Sequence, residues 1–214
     1  MTVSNKNTHL IKIIKSAELP GVITSSDLIH LIEGTSARRQ ALIKRALANG
    51  DLVQIRRGLY MINKIFQDKK TDSFELAQWI YGPSYISFES ALSHWQLIPE
   101  AVYTVTSASS RRSVEFKTPL GVFSYVRIPF SPLFTGVQRY SKGNSVFFMA
   151  KPWRALCDYV YASKKMWAIK ELVEFLRLED LPPLAKRDLV VLNKFYRNRR
   201  VNRFLNTVNK MEEI

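Results

Sequence analysis

Residues 35–62 read TSARRQALIKRALANGDLVQIRRGLYMI, and this stretch decides the fold. Thr35 and Ser36 are both residue types that cap helix N-termini, and Leu42, Ile43, Ala46 and Leu47 recur at helical spacing. The pattern predicts a helix to about Ala48, stopped by Asn49-Gly50, where Gly50 takes the left-handed backbone that a helix end favours. Beyond it, Leu52–Ile55 and Leu59–Ile62 are β-prone runs. Arg56-Arg57-Gly58 between them predicts a tight hairpin turn with Gly58 at positive φ.

Upstream, residues 8–19 (THLIKIIKSAEL) place Leu10, Ile13, Ile14 and Ala17 on one helical face, and Pro20-Gly21 ends that helix in a turn. Thr24-Ser25-Ser26-Asp27 has the spacing of a capping box and opens a second helix through Leu28–Ile32. Three helices followed by a hairpin is the order of a winged helix-turn-helix, expected over residues 1–70. The polar stretch 63–73 reads as a linker.

Residues 71–214 predict a larger α+β domain with an antiparallel or mixed sheet flanked by helices. Helices are expected at 74–81, at 88–96 capped by Ser87, from Pro152, at 165–178 and at 185–209. Strands are expected at 85–87, 101–106, 113–117, 121–128 and 145–150.

The chain has 214 residues and a formal net charge of +14. Residues 1–70 hold 12 Lys and Arg against 5 Asp and Glu, residues 71–180 hold 12 against 10, and residues 181–214 hold 8 against 3. Both ends are basic and the middle is nearly neutral, which suits a polyanionic partner. No apolar run reaches membrane-spanning length, and the N-terminus MTVSNKNTHL lacks an apolar signal core, which predicts a cytoplasmic protein without membrane contact. A single cysteine, Cys157, excludes an intramolecular disulfide or a multi-cysteine zinc site.

Opposite the apolar face of the 36–48 helix stand Ala37, Ala41 and Lys44, flanked by Arg38, Gln40 and Arg45. The small alanines let backbone approach base edges. Arg38 and Gln40 have the geometry to bond guanine and adenine bidentately. Arg39 falls on the core side and is expected to turn outward to a phosphate, while Thr35 and Ser36 offer hydroxyls. Arg56 and Arg57 at the hairpin tip suit a phosphate or the minor groove. The partner these residues predict is double-stranded DNA. The other use of the same elements is a protein-contact module with solvated charges. Near the C-terminus, Val191, Phe195 and Phe204 anchor one helical face, and Lys194, Arg197, Arg200 and Arg203 form a second phosphate-binding stripe or a solvated basic face.

Catalytic constellations are sparse. Glu115-Phe116-Lys117 with Glu100 upstream has the make-up of a metal-dependent nuclease triplet, or of cross-strand charge pairing. His9, His30 and His94 are scattered, so no metal site and no cofactor is expected. Cys157 reads as a core thiol, Ser87 and Ser90 as capping or packing residues, and Trp79, Trp95, Trp153 and Trp167 as packing residues. No enzyme is expected.

At LANGDLVQIRRGLYMI the chain resembles the N-terminal domain of AbiEi-type antitoxins of bacterial abortive-infection toxin–antitoxin systems. YISFESALSHWQLIPE, TVTSASSRRSVEFKTPLGVFSYVRIP and FFMAKPWRALCDYVY continue the resemblance over residues 20–165. It implies an autorepressor that binds repeats in its own promoter. It also implies an antitoxin that counteracts a co-encoded nucleotidyltransferase toxin without requiring a stable complex with it. Gly143-Asn144-Ser145 lacks the Asp-x-Asp that the toxin's chemistry needs, so the chain does not resemble the toxin itself. A regulator whose second domain binds a ligand or another protein is the alternative.

Overall fold

The computed structural model describes residues 9–17, 21–63, 71–128, 133–143, 145–163 and 165–212, with only the backbone of His9, Lys142 and 209–212. The ends of the expected first helix (Thr8, Glu18, Leu19), Pro20, linker residues 64–70 and Asn144 lie outside them. The chain is mixed α+β and divides into two compact units, Met1–Asp72 with Thr118–Leu120, and Ser73–Lys117 with Gly121–Ile214.

In the first unit the order is α1 (His9–Ser16), β1 (Val22–Thr24), α2 (Ser25–Leu31), α3 (Ser36–Ala48), β2 (Leu52–Arg56) and β3 (Leu59–Ile62). The strands form an antiparallel sheet in the order β1-β3-β2. Leu10, Ile11 and Ile14 of α1 are buried, so the inward stripe uses Ile11 more fully than the expected Ile13. They join Ile23, Leu28, Ile32, Ala46, Leu52 and Ile62 in one core, against which Leu42, Ile43 and Leu47 pack as their spacing predicts. The Thr24–Asp27 capping box is formed: the Thr24 hydroxyl accepts from Asp27 N at 3.2 Å, and the Asp27 carboxylate accepts from Thr24 N at 2.7 Å. Strand β1 was not expected. Three residues are too few to show alternation, and only the pairing with Leu59–Met61 makes them a strand.

The second unit runs α4 (Ser73–Ile80), β4 (Ser84–Ile86), α5 (Phe88–His94), β5 (Val105–Ser109), β6 (Val114–Thr118), β7 (Gly121–Arg127), β8 (Val137–Lys142), β9 (Ser145–Ala150), α6 (Pro152–Ala162), α7 (Ile169–Leu176), α8 (Lys186–Tyr196) and α9 (Arg199–Glu212). Its sheet has the order β6-β7-β5-β4-β9-β8. The sheet is mixed: β4 pairs β5 antiparallel and β9 parallel, β5 pairs β7 parallel, and β8 pairs β9 antiparallel.

Four local expectations are corrected. The strand expected at 101–106 forms later, at Val105–Ser109, where Ser107, Ala108 and Ser109 are fully buried in mid-sheet. Small residues there read as a loop in sequence. The polar run Val137–Lys142 is an edge strand, which pairs on one side only and so carries charge freely. The helix expected at 165–178 begins only at Ile169, because Ser163 Oγ accepts from Lys165 N (3.1 Å) and from Trp167 Nε1 (2.9 Å), holding the entry non-helical. The helix expected at 185–209 is broken at Arg197, which turns left-handed (φ 45°). Asn198 Oδ1 then accepts from Arg200 N at 2.9 Å and starts α9.

Candidate nucleic-acid interface

α3 begins at the N-cap Thr35, whose hydroxyl accepts from Arg38 N at 3.3 Å. With Leu42, Ile43, Ala46 and Leu47 turned to the core, the other side of the helix exposes Ser36, Ala37, Arg38, Gln40, Ala41, Lys44 and Arg45. Among the described residues, Arg38, Lys44, Arg45 and Arg57 have no carboxylate within ion-pair distance. Gly34 (φ +103°) matters here: a side chain at this position would come within 3.3 Å of Arg38 Cδ, so its absence lets the arginine stem lie across the turn before α3.

Arg39 departs from expectation. It does not swing out to solvent. Its Nη1 donates to Gly34 O at 2.6 Å, folding the guanidinium back over the loop that joins α2 to α3. The physical reason is its position on the half-buried flank of α3, within reach of carbonyls left open where α2 ends. Arg39 is a loop brace, and Arg38 is the arginine the helix presents.

The hairpin between β2 and β3 turns at Arg57-Gly58, with a bulge between Gln54 and Arg56. Gly58 has φ +78°, and a side chain on it would meet Ser25 Oγ at 3.3 Å. Ser25 N donates to Gly58 O at 2.9 Å, so the turn is pinned to the start of α2. Arg56 and Arg57 are both exposed, and Arg56 Nη1 donates to Arg57 O at 3.1 Å.

The residues of the expected C-terminal stripe are carried by two helices and the turn between them, because α8 and α9 are separate. Lys194 and Arg203 are exposed on different helices, Arg197 sits in the turn between them, and Arg200 Nη2 donates to Tyr161 O at 2.9 Å. Val191 is 38% exposed, and Leu192 takes the inward place assigned to it. On α9, Arg199, Asn202, Arg203, Asn206 and Thr207 line an open surface depression of about 630 Å³. Asn198, a good N-cap residue in a basic run, was the signal for the break between the helices.

Glu115 and Lys117 lie 4.0 Å apart on an exposed strand, and Glu100 pairs instead with Arg177 at 3.0 Å. Among the described residues, no three His, Cys, Asp or Glu side chains cluster as metal ligands. Trp95, Trp153 and Trp167 donate their indole N–H to Ala150 O, Pro182 O and Ser163 Oγ, whereas Trp79 is 40% exposed. Ser90 Oγ accepts from Thr106 N at 2.8 Å, a packing role.

Ser87 does not cap α5. Its hydroxyl donates to Asp158 at 2.7 Å, as part of a buried polar cluster that sequence reasoning missed. Arg154 and Asp158, one turn apart on α6, pair at 3.3 Å with both side chains fully buried. Tyr85 OH donates to Asp158 at 2.8 Å, Tyr196 OH donates to its other oxygen at 2.5 Å, and Arg154 Nη1 donates to Thr135 O at 2.8 Å. The guanidinium carbon lies 3.9 Å over the Phe195 ring. Burial opposes the charged form of Arg154, but Asp158 and the two phenols outweigh it and raise its pKa. Burial, then Asp158, pushes the pKa values of Tyr85, Tyr196 and Cys157 up. The cluster ties α6, β4, α8 and the 135–136 loop together. Only i,i+4 spacing of Arg154 and Asp158 hinted at it.

Among the described residues no helix is long and apolar enough to cross a membrane. Compared with models of known protein families and with curated proteins, the chain matches none.

Proposed function

We propose that this chain is a DNA-binding transcriptional repressor whose first unit is a winged helix-turn-helix, with α3 as the recognition helix and the Arg57-Gly58 turn as the wing. One observation carries the reading. A helix–strand–helix–helix–strand–strand order with sheet order β1-β3-β2 sets a helix whose outer face shows Arg38, Gln40, Lys44 and Arg45 to solvent, its cations without carboxylate partners among the described residues. That surface suits major-groove entry. Ser36 and the Thr35 cap supply hydroxyls at its leading end, and Arg56 and Arg57 supply wing contacts. The depression on α9, with Arg199 and Arg203, is the second phosphate contact of this reading. Lys194 and Arg197 lie beside it in sequence.

The wider role is that of an AbiEi-type antitoxin, repressing its own promoter at repeats and counteracting a nucleotidyltransferase toxin in the cytoplasm. It acts by binding rather than by catalysis. This part rests on sequence resemblance. Growth rescue when the chain is co-expressed with a nucleotidyltransferase encoded beside it tests the role, and unrelieved toxicity refutes it. Anisotropy with a promoter duplex tests the first part. Replacing Arg38 or Gln40 by Ala relaxes base preference by about 1–3 kcal/mol at one position, while unchanged affinity and preference would remove α3 from the interface.

A second reading has its own observation. An open cleft of about 570 Å³ has Tyr103 and Phe175 on its rim and Glu89 among its lining residues. It would make the second unit a ligand- or protein-binding regulator of the first. Promoter affinity that changes with an added small molecule favours it.

A further inference from the structure

We propose that the larger unit carries its own nucleic-acid contact, in which the loop Ser110–Ser113 and Arg127 grip a phosphodiester backbone without reading bases. The parallel strands β5 and β7 end side by side, with Ser109 opposite Arg127. The loop that follows β5 is held at each step. Ser109 Oγ donates to Pro83 O at 2.7 Å and accepts from Arg111 N at 3.2 Å. Tyr81 OH donates to Arg112 O at 3.2 Å, and Arg127 N donates to Ser113 Oγ at 2.9 Å. The Arg111 guanidinium lies 4.5 Å over the Tyr81 ring and donates to Gly82 O at 3.2 Å.

This bracing fixes the backbone and leaves charge exposed. Arg111, Arg112 and Arg127 all face solvent, and none has a carboxylate within ion-pair distance among the described residues. Glu115, the nearest acid in sequence, engages Lys117. Three exposed arginines thus stand on the loop and strand that meet at one sheet end, and a phosphate is the anion that suits them. Guanidinium is weakly hydrated and matches phosphate oxygens bidentately. Ser113 Oγ accepts from Arg127 N, which leaves its own hydroxyl proton for a phosphate oxygen. These arginines stand on a loop and a strand end and not on a helix that enters a groove, so the ligand is the backbone. Duplex DNA, single-stranded DNA and RNA share that diester.

The test uses the full chain with short fluorescein-labelled probes of arbitrary sequence: duplex DNA, single-stranded DNA and single-stranded RNA. Anisotropy is followed over a range of NaCl. For the Arg112→Ala/Arg127→Ala variant, the slope of log affinity against log salt becomes shallower by about two on a bound duplex, or by about one and a half on a bound single strand, since each lost phosphate contact contributes about 0.9 or about 0.7. The probe with the largest change identifies the source. A control with the same charge removed elsewhere, Lys170→Ala/Arg187→Ala, keeps the wild-type slope. Repeating the comparison on an Arg38→Ala/Arg57→Ala background separates this contact from α3: the loop effect persists even if α3 plays no part. An unchanged slope on every probe, or an equal change in the control, overturns the proposal.

Discussion

At the scale of single residues, the most consequential group is the buried pair Arg154–Asp158. Two opposite charges with no solvent are tolerable only when every lone pair and proton is used. Here Tyr85, Ser87, Tyr196 and Thr135 O complete the set. Replacing Asp158 by Leu strands a buried cation and should lower stability by about 3–5 kcal/mol, whereas Arg154→Met/Asp158→Leu together should lose less than the sum of the two singles. Urea unfolding of the four proteins measures this, and additive losses would show the pair is not coupled. The buried phenols and thiol add a pH dependence. Their folded pKa values are raised, so their contribution is whole below the unfolded values and is lost as pH climbs above them. Stability should decline from about pH 9, where an unfolded cysteine ionises, and more steeply past about pH 10 with both tyrosines, by ~1.4 kcal/mol per pH unit per group. Unfolding free energies that stay level to alkaline pH would mean that water reaches these groups.

At the scale of elements, turns decide what the cations face. Gly58 holds the β2–β3 turn at positive φ against Ser25. Gly58→Val combines backbone strain with a clash, and should lower stability by roughly 1–3 kcal/mol and weaken DNA binding through misplaced Arg56 and Arg57. Thermal melts and anisotropy on one preparation check both effects, and a variant with wild-type values in both would show that the tip has another anchor. Asn198 does the corresponding work between α8 and α9. Asn198→Ala should remove about 1 kcal/mol through loss of an N-cap, read as a lower urea midpoint; no change would assign the turn to Arg197's backbone alone.

At the scale of the whole molecule, charge and division into units set the behaviour. The smaller unit has its own apolar core from α1, α2, α3 and its sheet. A fragment of residues 1–72 should therefore melt cooperatively and keep the base preference of the full chain. Without the proposed contacts at α9 and at Arg112 and Arg127, it should show a shallower salt slope by about one per missing phosphate contact. Circular dichroism and salt-titrated anisotropy test this. A fragment with the full chain's slope would place every phosphate contact in the first unit.

Much of the first unit was legible in residue order. The Thr24–Asp27 box, the Thr35 cap, the Gly50 stop and the Arg57-Gly58 turn are local events, settled by residues a few positions apart. In the second unit, hairpin strands β6 and β7 and the Pro152 helix start were legible for the same reason. What sequence alone determined, then, is whatever short-range geometry and apolar spacing dictate: the α+β class, most helices and the charge-bearing face of α3. Tertiary structure alone decided the rest. It made strands of Val22–Thr24 and Val137–Lys142, turned Arg39 onto a carbonyl, drew Ser87 to Asp158 and set Ser113 against Arg127. Each of these depends on partners distant in the chain or on backbone groups exposed by folding, and no local pattern encodes those.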